Sequence, residues 1–242
     1  MVVQEAHKNI VHDQWLSQVL KRPVYKIIID ASFQKDNVKK FINEELPEKA
    51  FLYAKVAVTN IAAAQCLEGL HFHLIDTNVI FEKSVLTKYQ TKENTSVRFA
   101  DPHDQEQTVM LARRSFIFSR FHLDHNIPRD LANTVKAQWV KNYFTGQRGT
   151  HMVVAAIDDR IKGFAQLIQE DDLLTIDLIA VDIEARNRGI AGDMIAFAEC
   201  HCRGIKRLRA GTQMANFPSI RFYEKMGFKM TETFYVFHYH SL

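Results

Sequence analysis

The sequence predicts an α/β (α+β) fold in which a central sheet is flanked by helices and preceded by a smaller α/β unit. Three observations point there. Short apolar runs alternate with amphipathic segments along the 242 residues. A polar stretch, KYQTKENTS at 88–96, separates two such series. The run 177–196, DLIAVDIEARNRGIAGDMIA, passes from an apolar strand through an arginine-flanked turn directly into a helix.

Taken in order, apolar runs of strand length lie at 26–29, 51–58 and 72–81, with segments of helical period at 34–45 and 61–67 between them. After the polar stretch come a helix at 105–116, the irregular segment SRFHLDHNIP, a helix at 131–144, and strands at 151–157, 164–170 and 173–181. The helix opened by the arginine turn runs to His201, a strand follows at 207–212, and the chain finishes with a helix and a strand at 229–238. That last helix is well marked. Pro218 suits its first turn, Ile220, Phe222, Tyr223 and Met226 share one face, and Gly227 is placed to cap it in the left-handed conformation. The boundary divides the chain into residues 1–88 and 97–242.

Residues compared 156 positions apart show a short repeat: Leu52, Ala54, Asn60, Glu68, Phe72, Thr77 and Phe81 match Leu208, Ala210, Asn216, Glu224, Phe228, Thr233 and Phe237. Both copies read strand-helix-strand, and convergence of two amphipathic units would look the same. In the first copy Leu67 stands where the second has Tyr223, and no arginine-glycine turn precedes it.

A hydrophobic content of 47% with 24% charged residues permits one large core or two modest ones. A net charge of +3 suits small acidic ligands and lacks the dense basic patches of a nucleic-acid binder. Cys66, Cys200 and Cys202 cannot form a fully paired framework, so reduced thiols and a cytoplasmic location are expected. MVVQEAHKNIVHDQW has no apolar core for a secretory signal, and no stretch reaches the ~20 apolar residues of a membrane span. A homodimer is compatible with the chain. His71/His73 and His238/His240 are i, i+2 pairs that strands place on one face; without a third matching ligand no metal is expected.

The turn Arg186-Asn187-Arg188-Gly189-Ile190-Ala191-Gly192 carries the chemistry. Small residues let backbone N–H groups approach a ligand, and the helix adds its positive dipole end, so a pyrophosphate fits. It is neither the nucleotide-hydrolase loop nor the dinucleotide fingerprint. An Arg-x-x-Gly-x-Ala turn after LIAV resembles the coenzyme A loop of the GNAT superfamily of acetyl-CoA-dependent N-acyltransferases. About 25 residues on, NFPSIRFYEKMGF at 216–228 is similar to the family's other signature.

This resemblance implies a GNAT fold with a mixed, mostly antiparallel sheet, preceded by a unit resembling a partial GNAT domain that shapes the acceptor side. It implies acetyl-CoA held by the strand residues Ile179, Ala180 and Val181, the turn residues Arg186, Arg188, Gly189, Ile190, Ala191 and Gly192, and Asn216 and Ser219. Asn216 serves equally as a helix cap. Tyr223 stands where the family carries the acid that protonates the leaving thiolate. Asp177 is the expected base, with Asp124, His122 or a water relay as rivals.

The segments LEGLHFHLIDTNV, FSRF, AQWVKN and TQMAN are similar to GNAT members that acetylate dTDP-linked 4-amino-4,6-dideoxyhexoses. They imply a nucleotide-sugar acceptor touching Asn78, Arg120 and His122, with Arg113 and Arg114 as further diphosphate partners or merely solvated. Asn78 departs from the acid expected near the acceptor amine. Other small amines, amino acids, a protein N-terminus, or a non-catalytic acyl-CoA-binding role remain alternatives.

Overall fold

The computed structural model describes residues 8–85 and 96–241. Its strands are β1 (Ile10–His12), β2 (Val24–Ile27), β3 (Phe51–Ala57), β4 (His73–Ser84), β5 (Ser96–Phe99), β6 (His151–Ile157), β7 (Arg160–Glu170), β8 (Leu173–Val181), β9 (Arg207–Gln213) and β10 (Lys229–His240). The helices are α1 (Gln14–Leu20), α2 (Lys35–Lys40), α3 (Ile61–Glu68), α4 (Gln105–Ser115), α5 (Arg120–Leu123), α6 (Arg129–Phe144), α7 (Ile190–His201) and α8 (Phe217–Lys225). These strands form one sheet in the order β1-β2-β3-β10-β4-β9-β8-β7-β6-β5. Pairing is antiparallel except at β2·β3 and β8·β9, so the sheet is mixed and mostly antiparallel.

Several elements differ from the sequence reading for local reasons. The fold begins at β1 and α1, before residue 26, because the Asp13 carboxylate accepts the Leu16 N–H at 2.9 Å and caps a helix that buries Leu16 and Leu20. The strand expected at 164 starts at Arg160, since Asp158 and Asp159 take positive φ (48° and 56°) and close a tight hairpin from β6. One helical turn, α5, forms inside SRFHLDHNIP. Of the expected boundary at 88–96, residues 88–95 lie outside the described residues, and Ser96 opens β5.

The 156-residue repeat is visible in the backbone. Asn60 and Asn216 cap α3 and α8 in the same way, accepting the N–H three residues on, from Ala63 and Ser219. His71 and Gly227 take positive φ at matching points after those helices. The two units do not lie side by side. β4 runs between β10 and β9, and β10 runs between β3 and β4, so each unit contributes a strand to the other. Ala54 faces Phe237 in β3·β10 as Ala210 faces Phe81 in β9·β4.

Alternation along β6 and β7 serves two layers. Val153, Ala155, Ala165 and Leu167 meet α7 and α8 through Met194, Ile195 and Tyr223, with Phe228 after α8 in the same cluster. Met152, Val154 and Phe164 meet α4 and α6 through Leu111, Ala112 and Val140 on the opposite face. Between β8 and β9 the sheet opens. They pair only from Leu173↔Arg207 to Ile176↔Ala210. Asp177 is then the extra residue of a bulge, because Leu167 faces Ile176 while Gln166 faces Leu178. The bulge bends β8 away, and 177–181 continue on β7 alone.

Candidate active site

The opening leads into a cavity of about 780 Å³. One wall carries Asp177, Leu178 and Ile179 of β8, Gly211 to Gln213 of β9, and Asn216, Ser219 and Tyr223. The other carries Lys26, Tyr53, Lys55, Asp76 and Asn78 from β2, β3 and β4, with Arg120 of α5 and Lys136 and Trp139 of α6. Asp177, Ile179, Asn216, Ser219, Tyr223, Asn78 and Arg120, distant in sequence and expected to act together, line this one cavity. Ala180 and Val181 finish β8 just beyond it, and a 3-10 turn at Ile183–Ala185 leads on to the arginine turn.

That turn presents backbone. Gly189 sits at φ 87°, which a side chain resists, and it precedes α7 with no side-chain cap. The first bond into the helix runs from the Asp193 N–H to the Gly189 carbonyl at 3.0 Å. The amides of Arg188 to Gly192 therefore have no backbone acceptor among the described residues, which is the state of an anion cradle. The guanidinium of Arg186 donates to the Val181 carbonyl at 3.2 Å and that of Arg188 to the Glu184 carbonyl at 3.1 Å, so both side chains brace the turn.

Tyr223 is buried among Phe81, Phe222 and Phe228, and its phenol makes no hydrogen bond among the described residues although it borders the cavity. Burial pushes its pKa well above the ordinary phenol value, so the O–H is kept for donation. Asn216 accepts the Ser219 N–H at 3.4 Å and donates to Thr212 Oγ1 at 3.1 Å, pinning the start of α8 to β9.

Asp177 is occupied. Arg148 donates to both carboxylate oxygens, Nε to Oδ2 at 2.7 Å and Nη2 to Oδ1 at 2.6 Å, and Trp139 and Gln166 add bonds of 2.8 and 3.2 Å to Oδ2. A carboxylate holding four donors anchors the cavity wall, and its oxygens are already engaged. His122 is turned away from the cavity and spends Nδ1 on Ser119 Oγ at 2.6 Å and Nε2 on Asn133 Oδ1 at 3.0 Å. Arg113 and Arg114 pair with Asp130 and Asp182, each at 2.6 Å, away from the cavity lining.

Asp124 also lies behind the wall. Arg120 only donates, so His238 Nε2, 3.3 Å from its Nη1, accepts, and the His238 Nδ1–H then donates to Asp124 at 2.6 Å. His240 Nε2 donates to the same oxygen at 2.7 Å. Asp124 is thus the third group beside His238 and His240 that the sequence did not reveal, and both histidines are hydrogen-bonded to it. The Arg120 guanidinium stacks 3.9 Å from the Tyr53 ring centroid, held from behind by this network.

Sequence reasoning missed Lys55, Asp76 and Lys136. Period-two placement was the available signal: Tyr53 and Lys55 on β3, and Asp76, Asn78 and Ile80 on β4, all face the cavity. Confinement lowers the Lys55 ammonium to about 8, and it donates to Asn78 Oδ1 at 3.0 Å. Lys136, buried against Phe116 and Trp139, is lowered to about 7 by burial, which the Asp177 charge opposes. Among the described residues, none of Lys26, Lys55, Arg120 and Lys136 has a carboxylate within 4.0 Å. No helix among them is long and apolar enough to cross a membrane.

Residues 116–228 match the family described as acetyltransferase (GNAT). The chain is 26% identical over 232 residues to the spore coat polysaccharide biosynthesis protein SpsD of Bacillus subtilis, covering 93% of this chain and 80% of that one. It is 26% identical over 186 residues to the dTDP-fucosamine acetyltransferase of Escherichia coli, covering 75% and 78%. A GCN5-related N-acetyltransferase from Sphaerobacter thermophilus has the same fold, with a TM-score of 0.62 at 11% identity over 96% of this chain and 75% of that one.

Proposed function

Since this chain carries a GNAT domain and is an acyl-CoA-dependent N-acetyltransferase, we propose that it moves acetyl from acetyl-CoA to the amine of a nucleotide-linked amino sugar, a dTDP-4-amino-4,6-dideoxyhexose. The observation that carries this reading is the cavity's two-sided chemistry. A phenol and an open strand edge face a wall bearing Lys26, Lys55, Arg120 and Lys136, none with a carboxylate partner among the described residues. Four such cations suit a diphosphate far better than a free polyamine or an uncharged peptide terminus. The names of the two curated relatives, one in polysaccharide biosynthesis and one acting on dTDP-fucosamine, point the same way.

In this reading the pyrophosphate of acetyl-CoA lies on the uncapped amides of Arg188 to Gly192, and the pantetheine follows the free edge of β8 from Leu178 to Val181. The thioester then meets Tyr223. The acceptor amine attacks the carbonyl carbon, a β8 N–H meets the oxyanion, and Tyr223 protonates the departing sulfur. Arg148, fixed by Asp177, and Arg120, fixed by His238, hold the diphosphate. Residues 1–88 act as the acceptor-side unit and 97–242 as the acetyl-CoA unit.

Thiol release from acetyl-CoA, measured against dTDP-, UDP- and GDP-linked amino sugars, free amino acids, peptides and polyamines, tests the acceptor. The highest kcat/KM is expected with a dTDP-4-amino sugar. A free amine or peptide outpacing every nucleotide sugar would overturn the assignment.

A further inference from the structure

Asp76 is the least accounted-for polar group in the cavity wall. The residue is 8% exposed and lines the cavity, and its Oδ2 has no hydrogen-bond partner among the described residues. A buried carboxylate oxygen left without a donor loses its hydration uncompensated, so a site that keeps one implies a donor that arrives from outside. Among the described residues Asp76 has no ion-pair partner, and the nearby Lys55 Nζ donates to Asn78 Oδ1 instead. Asp76 also adjoins the acetyl-transfer side. The next residue's carbonyl accepts the Met214 N–H at 2.7 Å, and Asn78, on the same strand face, donates to the Thr212 carbonyl at 2.9 Å.

Resting on the acetyltransferase reading above, we infer that Asp76 is the residue that binds the acceptor as its ammonium ion and removes the proton, a base supplied by the N-terminal unit. The incoming R–NH₃⁺ places a donor on the empty oxygen and leaves one proton on Asp76. The neutral amine then attacks the thioester carbon. The C–N bond forms, the C–S bond breaks on collapse, and sulfur takes the Tyr223 proton. The second nitrogen proton restores the Tyr223 phenol, and Asp76 returns its proton to water. One proton is released per acetyl transferred.

The surroundings suit that role. Burial raises the Asp76 carboxyl to about 6, with the Thr77 amide and Lys55 pulling it back. The charged and titratable groups of the same wall are Asp13 ahead of α1, Lys26 on β2, Tyr53 and Lys55 on β3, Arg120 on α5 and Lys136 on α6. Of these, Lys55 is the charge that holds the carboxyl from rising further, so it stays a usable base. Asp177, held by four donors, has no such freedom.

The test uses the full chain, acetyl-CoA and the best acceptor from the panel, with pH profiles from 5 to 9 for wild type, Asp76→Asn, Asp76→Glu and Lys55→Met. Asp76→Asn should lower kcat by about 10²-fold or more and abolish an acidic limb near pH 6, while acetyl-CoA affinity stays within twofold. Asp76→Glu should recover part of the rate. Equilibrium binding of the dTDP-4-amino sugar and its 4-hydroxy analogue, with coenzyme A present, should show at least tenfold weakening of the amine alone in Asp76→Asn. Unchanged kcat and amine binding in that variant, or a limb near pH 8 lost in Lys55→Met instead, would overturn the inference. If a different amine proves the best substrate yet Asp76→Asn still loses both limb and rate, only the sugar assignment fails; if the dTDP-amino sugar is best and Asp76→Asn is silent, only the base does.

Discussion

Asn78 and Phe234 are Cα partners across β4 and β10, and they stand 156 positions apart in the chain. The pair therefore lies on the pseudo-two-fold axis that exchanges the two β-α-β units. Each flanking pairing has its image across that axis, with β3·β10 and β4·β9 in equivalent register. A slip of one residue would turn Phe81 and Phe237 out of their cores together.

The interleaving predicts that neither unit folds alone. Residues 96–242 without β4 would leave facing edges of β9 and β10 unpaired and expose Phe237. That fragment should aggregate, and co-expression with residues 1–85 should recover soluble, cooperatively unfolding protein. A monomeric fragment with a sharp urea transition would contradict the expectation.

Gly189→Val places a β-branched residue at φ 87°, a strain of about 1–3 kcal/mol, and crowds the uncapped amides. Acetyl-CoA affinity measured by calorimetry should fall at least tenfold, with the thermal midpoint lowered by only a few degrees. Arg186→Ala should be milder, since its guanidinium braces the turn through one carbonyl.

Tyr223→Phe removes the O–H while keeping the ring packed against Phe81 and Phe228. Steady-state kinetics should show kcat lowered by about 10²–10⁴ with KM for acetyl-CoA little changed. Wild-type kcat in a chemistry-limited assay would leave Tyr223 a packing residue.

Asp177→Ala leaves Arg148 and Trp139 donors without their acceptor, which should cost about 1–3 kcal/mol in urea unfolding. KM for the nucleotide sugar should rise more than kcat falls, because Arg148 loses its fixed position. A change confined to kcat, with stability intact, would restore Asp177 as the base.

Acid should destabilise the fold in two steps. Burial lowers His238 to about 4 against the Asp124 bond, so between its ordinary 6.5 and about 4 the unfolded chain binds more protons and stability falls as pH falls. Burial alone would raise Asp124, but the bonds from His238 and His240 outweigh it and carry it well below the carboxylate range. Its contribution is present above 3.8 and is lost on further acidification. Urea midpoints from pH 8 to 3 should trace both losses, and His238→Gln should flatten the upper one.

Features with local causes could be read from residue order alone. The arginine turn, the Asn216 cap, the α8 face bearing Tyr223 and the order of strands follow from glycine freedom, capping chemistry and side-chain period. The repeat at 156 was also legible residue by residue. Strand partners could not be read that way, because a strand's edges carry no sequence label. That β4 lies between β10 and β9, that Asp177 falls at a bulge and meets Arg148, and that His122 turns away from the cavity while Asp76 and Lys55 face it, are consequences of packing between distant segments. A carboxylate's neighbours decide whether it anchors or accepts a proton, and for Asp177 and Asp76 those neighbours come together only in the folded sheet.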